Sequence, residues 1–241
     1  MGVTQIRGIV IAQRSSGESS KQIFVLAKGM GKVMLSARGA RNTKSRLLAG
    51  TQMFAYCDFT VFEGRGFYSL TQVDMIESFY GLRSDMERLA EAVYLAELVE
   101  RTSPPGLEVD EALKLLLTTL SVLEKSGLSP GLISRIFEVK YLQISGVLAS
   151  AQCGMCESEL VLYNNTLGAF VCEAHGGGVP ISAAVRRALA FVLENDGRDM
   201  FRFEVSPAVL EELDWILGEY IKIHLHIHTK SRAFRKTLEM N

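Results

Sequence analysis

The chain has 241 residues, with 26 Lys and Arg, 27 Asp and Glu and a net charge of −1. Its 48% hydrophobic and 22% charged content is typical of a globular protein and excludes disorder over most of its length. No continuous apolar stretch predicts a membrane span, and the first residues lack the pattern of a signal peptide, so we expect a cytoplasmic protein without a membrane partner.

The first eighty residues carry the pattern of β-structure. Short apolar or alternating runs predict strands at residues 6–12, 22–27, 32–37, 52–62 and 67–75. Each run ends in turn residues, such as Gly29-Met30-Gly31, where glycine permits the positive φ of a tight hairpin. Five strands in about eighty residues favour a small closed barrel.

Positive charge is concentrated in this predicted barrel. Residues 1–80 hold ten basic and five acidic side chains, whereas the rest of the chain holds sixteen and twenty-two. Six basic residues lie between positions 28 and 46 with no acidic residue among them: Lys28, Lys32, Arg38, Arg41, Lys44 and Arg46. Such a cluster predicts contact with phosphates, and the alternative is a solvated hairpin. Five aromatic residues nearby in the sequence could stack on bases on a barrel face, and the alternative for most of them is packing in the barrel core: Tyr56, Phe59, Phe62, Phe67 and Tyr68.

Beyond Tyr80 the apolar spacing becomes helical. Ser84 and Glu87 match a capping box that predicts the start of the first helix. Further helix starts are predicted at Asp110, at Ser129-Pro130 and at Ser206-Pro207, and another helix over residues 182–194.

Three cysteines and a histidine form the strongest chemical pattern. Cys153 and Cys156 are followed, after fifteen residues, by Cys172 and His175. Two such Cys-x-x-ligand pairs predict a tetrahedral Zn²⁺ site, and the alternative is three buried thiols beside an unrelated histidine. Four protein ligands leave no position for a reactive water, which predicts a structural metal. No nucleotide-binding or hydrolase motif accompanies the site, so we expect a protein that is not an enzyme.

Several of these features together resemble the RecO family of bacterial DNA repair proteins. They are the stretches Lys28-Gly-Met-Gly31 and Arg38-Gly-Ala-Arg-Asn-Thr-Lys-Ser45, the helical body and the cysteine motif. The resemblance covers essentially the whole chain. It implies an α+β fold, with an OB-fold DNA-binding barrel in residues 1–80 and a helical domain in residues 81–241 that contains a zinc knuckle at 150–179. Metal-binding family members commonly use four cysteines, so His175 is a departure, although imidazole is an equivalent ligand.

The resemblance also implies a function. It predicts a nucleoid-associated recombination mediator that binds single- and double-stranded DNA, anneals complementary strands, works with RecR and helps to load RecA. A further implied partner is the tail of single-stranded DNA-binding protein. Because that tail is acidic and ends in apolar residues, we expect its site near Arg186 and Arg187 or residues 230–236, where basic side chains adjoin apolar helix faces. The alternative is a protein-only adaptor with a structural zinc and no intrinsic DNA affinity.

Overall fold

The computed structural model describes residues 2–150, 152–156, 162–227, 229 and 231. The strands of its first part are β1 (Gly2–Ser16), β2 (Ser20–Ala27), β3 (Gly31–Ala37), β4 (Tyr56–Gly64) and β5 (Phe67–Glu77). The helices α1 (Met86–Thr102), α2 (Asp110–Lys125) and α3 (Pro130–Ile144) follow. The short strands β6 (Leu162–Asn164), β7 (Ala169–Val171) and β8 (Val179–Pro180) precede α4 (Ala183–Glu194) and α5 (Pro207–Leu225). None of the helices in this part of the chain has the length and apolar content of a membrane span.

The first five strands form a closed barrel in the order β1-β2-β3-β5-β4. Every neighbouring pair is antiparallel except β3 and β5, which are parallel. Inward-facing side chains such as Ile23, Leu35 and Phe59 are fully buried and fill the interior. This five-stranded barrel followed by helices confirms the predicted α+β fold with an N-terminal OB fold.

β1 and β4 differ most in extent from their prediction. β1 spans fifteen residues because its first half pairs with β4 and its second half with β2, with an irregularity between Val10 and Ala12. At Gly8 a Cβ atom would lie 2.4 Å from the carbonyl oxygen of Leu26, so glycine allows this close approach. β4 starts at Tyr56 rather than at residue 52 because Gln52 lies in turns closed by backbone hydrogen bonds.

Short polar side chains determine where several helices begin. Asp85, rather than the predicted Ser84, caps α1, because its carboxylate accepts hydrogen bonds from the N–H groups of Glu87 and Arg88 at 3.0 and 3.1 Å. The hydroxyl of Ser84 instead donates to the carbonyl of Gly81. Ser129 for α3 and Ser206 for α5 accept a backbone hydrogen bond from the residue three positions on, as predicted from the sequence. Ser182, at the start of the helix predicted over residues 182–194, caps α4 in the same way.

The chain divides into two compact units, Met1–Leu117 and Thr118–Asn241. The first contains the barrel and α1, and the second contains α3, the short strands, α4 and α5. The division falls within α2. A functional boundary at residue 80, between a barrel domain of residues 1–80 and a helical domain of residues 81–241, stays a prediction.

Candidate nucleic-acid interface and metal centre

Residues 38–46, which we call the basic loop, follow β3 directly. The backbone N–H of Arg41 donates to the carbonyl of Ser19 at 2.9 Å, and its guanidinium Nη1 donates to the carbonyl of Gly17 at 3.1 Å. The N–H of Gly39 donates to the Ser20 hydroxyl at 3.3 Å, and Ala40 is buried in the barrel core. The loop is therefore held against the turn between β1 and β2.

The charges of the basic loop face solvent. Arg38, Arg41, Lys44 and Arg46 are all exposed, and no carboxylate of the described residues forms an ion pair with any of them. The acidic residue of the neighbouring turn, Glu18, is exposed as well. An exposed group of uncompensated positive charges is what a phosphate backbone requires of its binding surface.

The structure adds Lys21 to this group. The register of β2 and β3 pairs Lys21 with Ala37, the residue before the basic loop. Burial, followed by the positive charge of Arg41, lowers the pKa of Lys21, which shows that the two cations are close. Lys21 lies outside the charged stretch of sequence. Only the pairing of the hairpin strands indicates its position.

Lys28 and Lys32 lie at the opposite end of the same hairpin, where Ala27 pairs with Gly31. Lys28 is exposed in the turn. The ammonium of Lys32 donates to the backbone carbonyl of Glu100 and lies 3.6 Å from its carboxylate, and its side chain is only 17% exposed. The six predicted DNA-binding residues thus form two groups, and the charge of Lys32 is already compensated by α1. Their contact with DNA stays a prediction.

The four predicted metal ligands converge. The donor atoms of Cys153, Cys156, Cys172 and His175 all lie within 4.8 Å of one another. Nδ1 of His175 is 3.6 Å from Sγ of Cys153 and 3.3 Å from Sγ of Cys172, and the Sγ atoms of Cys156 and Cys172 are 3.6 Å apart. Ligands about 2.0–2.3 Å from a zinc ion stand roughly 3.3–3.8 Å apart in a tetrahedron. The observed spacing fits such an ion.

Local backbone turns and electrostatics prepare this cluster. The N–H of Cys156 donates to the carbonyl of Cys153, and the N–H of His175 donates to that of Cys172, so each ligand pair closes a tight turn. The pKa of Cys153 is lowered to about 6, chiefly by a hydrogen bond from the backbone of Met155. A thiolate at this position is therefore accessible near neutral pH, as a metal ligand must be.

Aromatic side chains attach the hairpin of β6 and β7 to α5. The ring centroids of Tyr163 and Trp215 are 5.8 Å apart, and those of Phe170 and Tyr220 are 5.7 Å apart. Nε2 of His224 lies 2.6 Å from the carbonyl oxygen of Gly168. This packing supports the strands that carry the second ligand pair.

Arg186 and Arg187 line a cavity of about 580 Å³ at the C-terminal end of α3 and along α4. Ala183, Ala190 and Leu193 supply apolar wall, Gln143 and Gln152 supply polar wall, and Glu194 adds one carboxylate to the lining. Two arginines against one carboxylate, beside apolar wall, fit the expected site for an acidic tail. In the alternative segment, residues 230 and 232–236 lie outside the described residues.

Known protein families match both the N-terminal and the C-terminal part of the chain. Residues 1–79 match the family model described as Recombination protein O N terminal, and residues 83–233 match Recombination protein O C terminal. A DNA repair protein RecO of Acetivibrio thermocellus is 33% identical, with 99% of this chain and 98% of that protein covered. One of Alkaliphilus metalliredigens is 34% identical over 90% of this chain and 92% of its own length. One of Symbiobacterium thermophilum is 32% identical, with 99% and 98% covered.

Proposed function

The chain belongs to the RecO family of DNA repair and recombination proteins, and we propose that it acts as a recombination mediator. In this proposal it binds single- and double-stranded DNA, anneals complementary strands and helps to load RecA on single-stranded DNA coated with its binding protein. Such a role would place it at the nucleoid.

The observation that carries this proposal is the exposed basic loop fixed against the β1–β2 turn. Two complementary strands repel each other, and a surface that neutralises phosphates of both lowers that repulsion without any covalent step. Because the loop is held by hydrogen bonds to Gly17, Ser19 and Ser20, its charges are presented on an ordered surface. This mechanism requires neither nucleotide hydrolysis nor an active-site base, and it supports a role other than that of an enzyme.

For the metal centre we propose a structural Zn²⁺ held by Cys153, Cys156, Cys172 and His175. Bound Zn²⁺ would supply folding energy to the knuckle, because such a site does not form in the unfolded chain. Four donors from the protein complete a tetrahedron, which supports a structural role rather than activation of water.

We propose two protein partners, RecR and the acidic tail of single-stranded DNA-binding protein. The cavity beside Arg186 and Arg187 supports the second, since it offers positive charge to carboxylates and apolar wall to the end of the tail. The family relationship alone supports RecR.

The decisive experiment is a titration of the protein with labelled single-stranded oligonucleotide at several salt concentrations. Each phosphate neutralised on a single strand contributes about −0.7 to the slope of log affinity against log salt. The double variant Arg38→Ala with Arg41→Ala should therefore flatten the slope by roughly 1.4 units and slow annealing. The losses should be similar for different base sequences.

A matched control is the double variant Arg202→Ala with Lys222→Ala, which removes the same charge from exposed positions of the other unit. This control should retain the wild-type slope. If the basic-loop variant also retains the wild-type affinity, slope and annealing rate, the adaptor without intrinsic DNA affinity becomes the better description.

A further inference from the structure

Outward-facing apolar side chains form a continuous row across four strands of the barrel. β2 and β3 pair Phe24 with Met34, and the parallel register that pairs Leu35 with Tyr68 brings Met34 beside Phe67 on β5. Phe67 pairs with Gly64 on β4 and is thus the diagonal neighbour of Phe62. We call Phe24, Met34, Phe67 and Phe62 the aromatic row.

The row lies on the outside of the barrel. The residues that flank it along each strand, such as Ile23, Leu35 and Val61, are buried in the core, and alternation therefore directs the row outward. Three of its members are exposed, Met34 by 40%, Phe62 by 39% and Phe67 by 47%, and Phe24 is half-buried. Exposed aromatic side chains clustered in this way mark an interaction surface.

One ring of the row has a defined orientation. A Cβ atom added at Gly64 would lie 2.4 Å from ring atoms of Phe67, so this ring rests directly on the glycine backbone of the neighbouring strand. Because a larger residue at position 64 would displace the ring, glycine here creates the space that Phe67 occupies. The aromatic row thus includes a ring laid across the strands, with one face available to a partner.

The charges around the row indicate what kind of partner it fits. A neighbouring line of outward residues shares Phe62 with the row, and each of its members pairs with the next across the strands: Arg14, Gln22, Ser36, Ser69, Phe62 and Val3. None of these residues or of the aromatic row is acidic, and the guanidinium of Arg14 lies 4.7 Å from the ring centre of Phe24. Beyond Gln22 along β2 lies Lys21, beside Arg41 of the basic loop. Positive charge therefore borders the row.

We propose that the aromatic row stacks the bases of single-stranded DNA and gives the protein a preference for unpaired strands. This inference rests on the proposed DNA-binding function and names a second surface that contributes to it. The row spans about 14 Å across three strand spacings, enough for a few nucleotides. Aromatic rings offer every base a partner regardless of sequence, whereas bases inside a duplex are already stacked and cannot reach them. The basic loop neutralises phosphates, and the row selects the unpaired state.

The experiment uses the full chain, the double variant Phe62→Ala with Phe67→Ala, and two oligonucleotides of equal length, one normal and one of abasic sites. Wild-type protein should bind the normal strand at least tenfold more tightly than the abasic strand. The variant should lose this difference and bind both with the affinity of wild type for the abasic strand. Its salt slope should stay unchanged, because no phosphate contact is removed.

Two further variants control for loss of fold and of apolar surface. Phe62→Tyr with Phe67→Tyr retains the rings and should retain the preference for the normal strand. Met75→Ala with Ile76→Ala removes apolar side chains of β5 that are 43% and 47% exposed, and should also leave the preference intact.

Equal wild-type affinity for the normal and abasic strands would overturn the inference. A Phe62→Ala, Phe67→Ala variant that still binds the normal strand more tightly than the abasic strand would overturn it as well. If that variant also no longer self-associates in sedimentation, the row is instead a contact with a second copy of the chain. A flattened salt slope only in the Arg38→Ala, Arg41→Ala variant would uphold the proposed DNA binding in either case. The two proposals therefore fail separately.

Discussion

Among individual residues, the cysteines show how strongly environment determines chemistry. Burial raises the pKa of Cys57, inside the barrel, to about 12, so this thiol stays protonated. The pKa of Cys153 is lowered to about 6 by the backbone turn that presents it to the other ligands. The two cysteines therefore differ in their capacity to bind metal, because only a thiolate is a good ligand.

We expect one Zn²⁺ per chain in protein purified without a tag, measured by elemental analysis. Cys172→Ala should abolish tight binding, because three donors no longer close the tetrahedron, whereas His175→Cys should retain the metal. Cys57→Ala is the matched control and should leave the metal content at one. Occupancy should fall as the pH is lowered, since protons compete for the three thiolates. Wild-type protein with well under one zinc per chain would contradict the prediction.

Among the secondary-structure elements, α3 is unusual because it buries charge. The guanidinium of Arg135 is 2% exposed and its Nε lies 2.7 Å from the carboxylate of the fully buried Glu138. The same guanidinium forms an ion pair with Asp214, which links α3 to α5. Charged side chains are stable inside a protein only when they pair with opposite charges. Removal of one carboxylate therefore leaves part of the charge of Arg135 without a partner.

Glu138→Ala should lower the free energy of unfolding by about 3–5 kcal/mol, because Arg135 remains buried with part of its charge unpaired. Urea denaturation followed by circular dichroism measures the change. Glu211→Ala, at an exposed position of α5, is the control and should change stability by no more than about 0.5 kcal/mol. A similar small loss in both variants would show that the buried pair contributes little.

The helix α4 supplies the residues for a partner prediction. Arg187→Glu should weaken binding of a peptide with acidic residues and an apolar end by about tenfold, because a repulsive charge replaces an attractive one at the cavity wall. Fluorescence anisotropy of labelled peptide measures this affinity. Arg202→Glu, an exposed charge reversal that does not line the cavity, should have little effect. Unchanged peptide affinity in the Arg187 variant would place the site elsewhere.

Across the whole molecule, the proposed DNA-binding surfaces belong to one compact unit, and the proposed metal and peptide sites belong to the other. The basic loop and the aromatic row lie in Met1–Leu117, and the four predicted metal ligands and the cavity beside Arg187 lie in Thr118–Asn241. The basic residues are also in excess within the first eighty positions, which belong to the first unit.

Removal of the metal with a chelator should therefore loosen the metal site and leave DNA binding unchanged. Hydrogen exchange should increase in residues 162–180, because the ligand turns lose the ion that stabilises them. The salt slope of binding to single-stranded DNA should change by less than about half a unit, since no phosphate contact of the basic loop depends on the metal. A slope flattened as far as in the Arg38→Ala, Arg41→Ala variant would show that the metal centre supports DNA binding.

Local spacing in the sequence predicted the strands of the barrel, most helix starts and the cluster of three cysteines and a histidine, because each follows from a pattern over a few residues. Alternation, a capping serine and a Cys-x-x-ligand pair are local geometric requirements that leave a local pattern. The predicted N-cap of α1, Ser84, is one residue away from the observed N-cap, Asp85.

Which distant residues lie together depends on the fold. The pairing of β2 with β3 brings Lys21, which lies outside the charged stretch of sequence, to the basic loop. The same pairing places Lys28 and Lys32 at the opposite end of the hairpin. The aromatic row and the buried Arg135 depend in the same way on strand register and on helix packing. A one-residue change of register would turn every side chain of a strand to the opposite face, so such groupings depend on long-range pairing that no local pattern records.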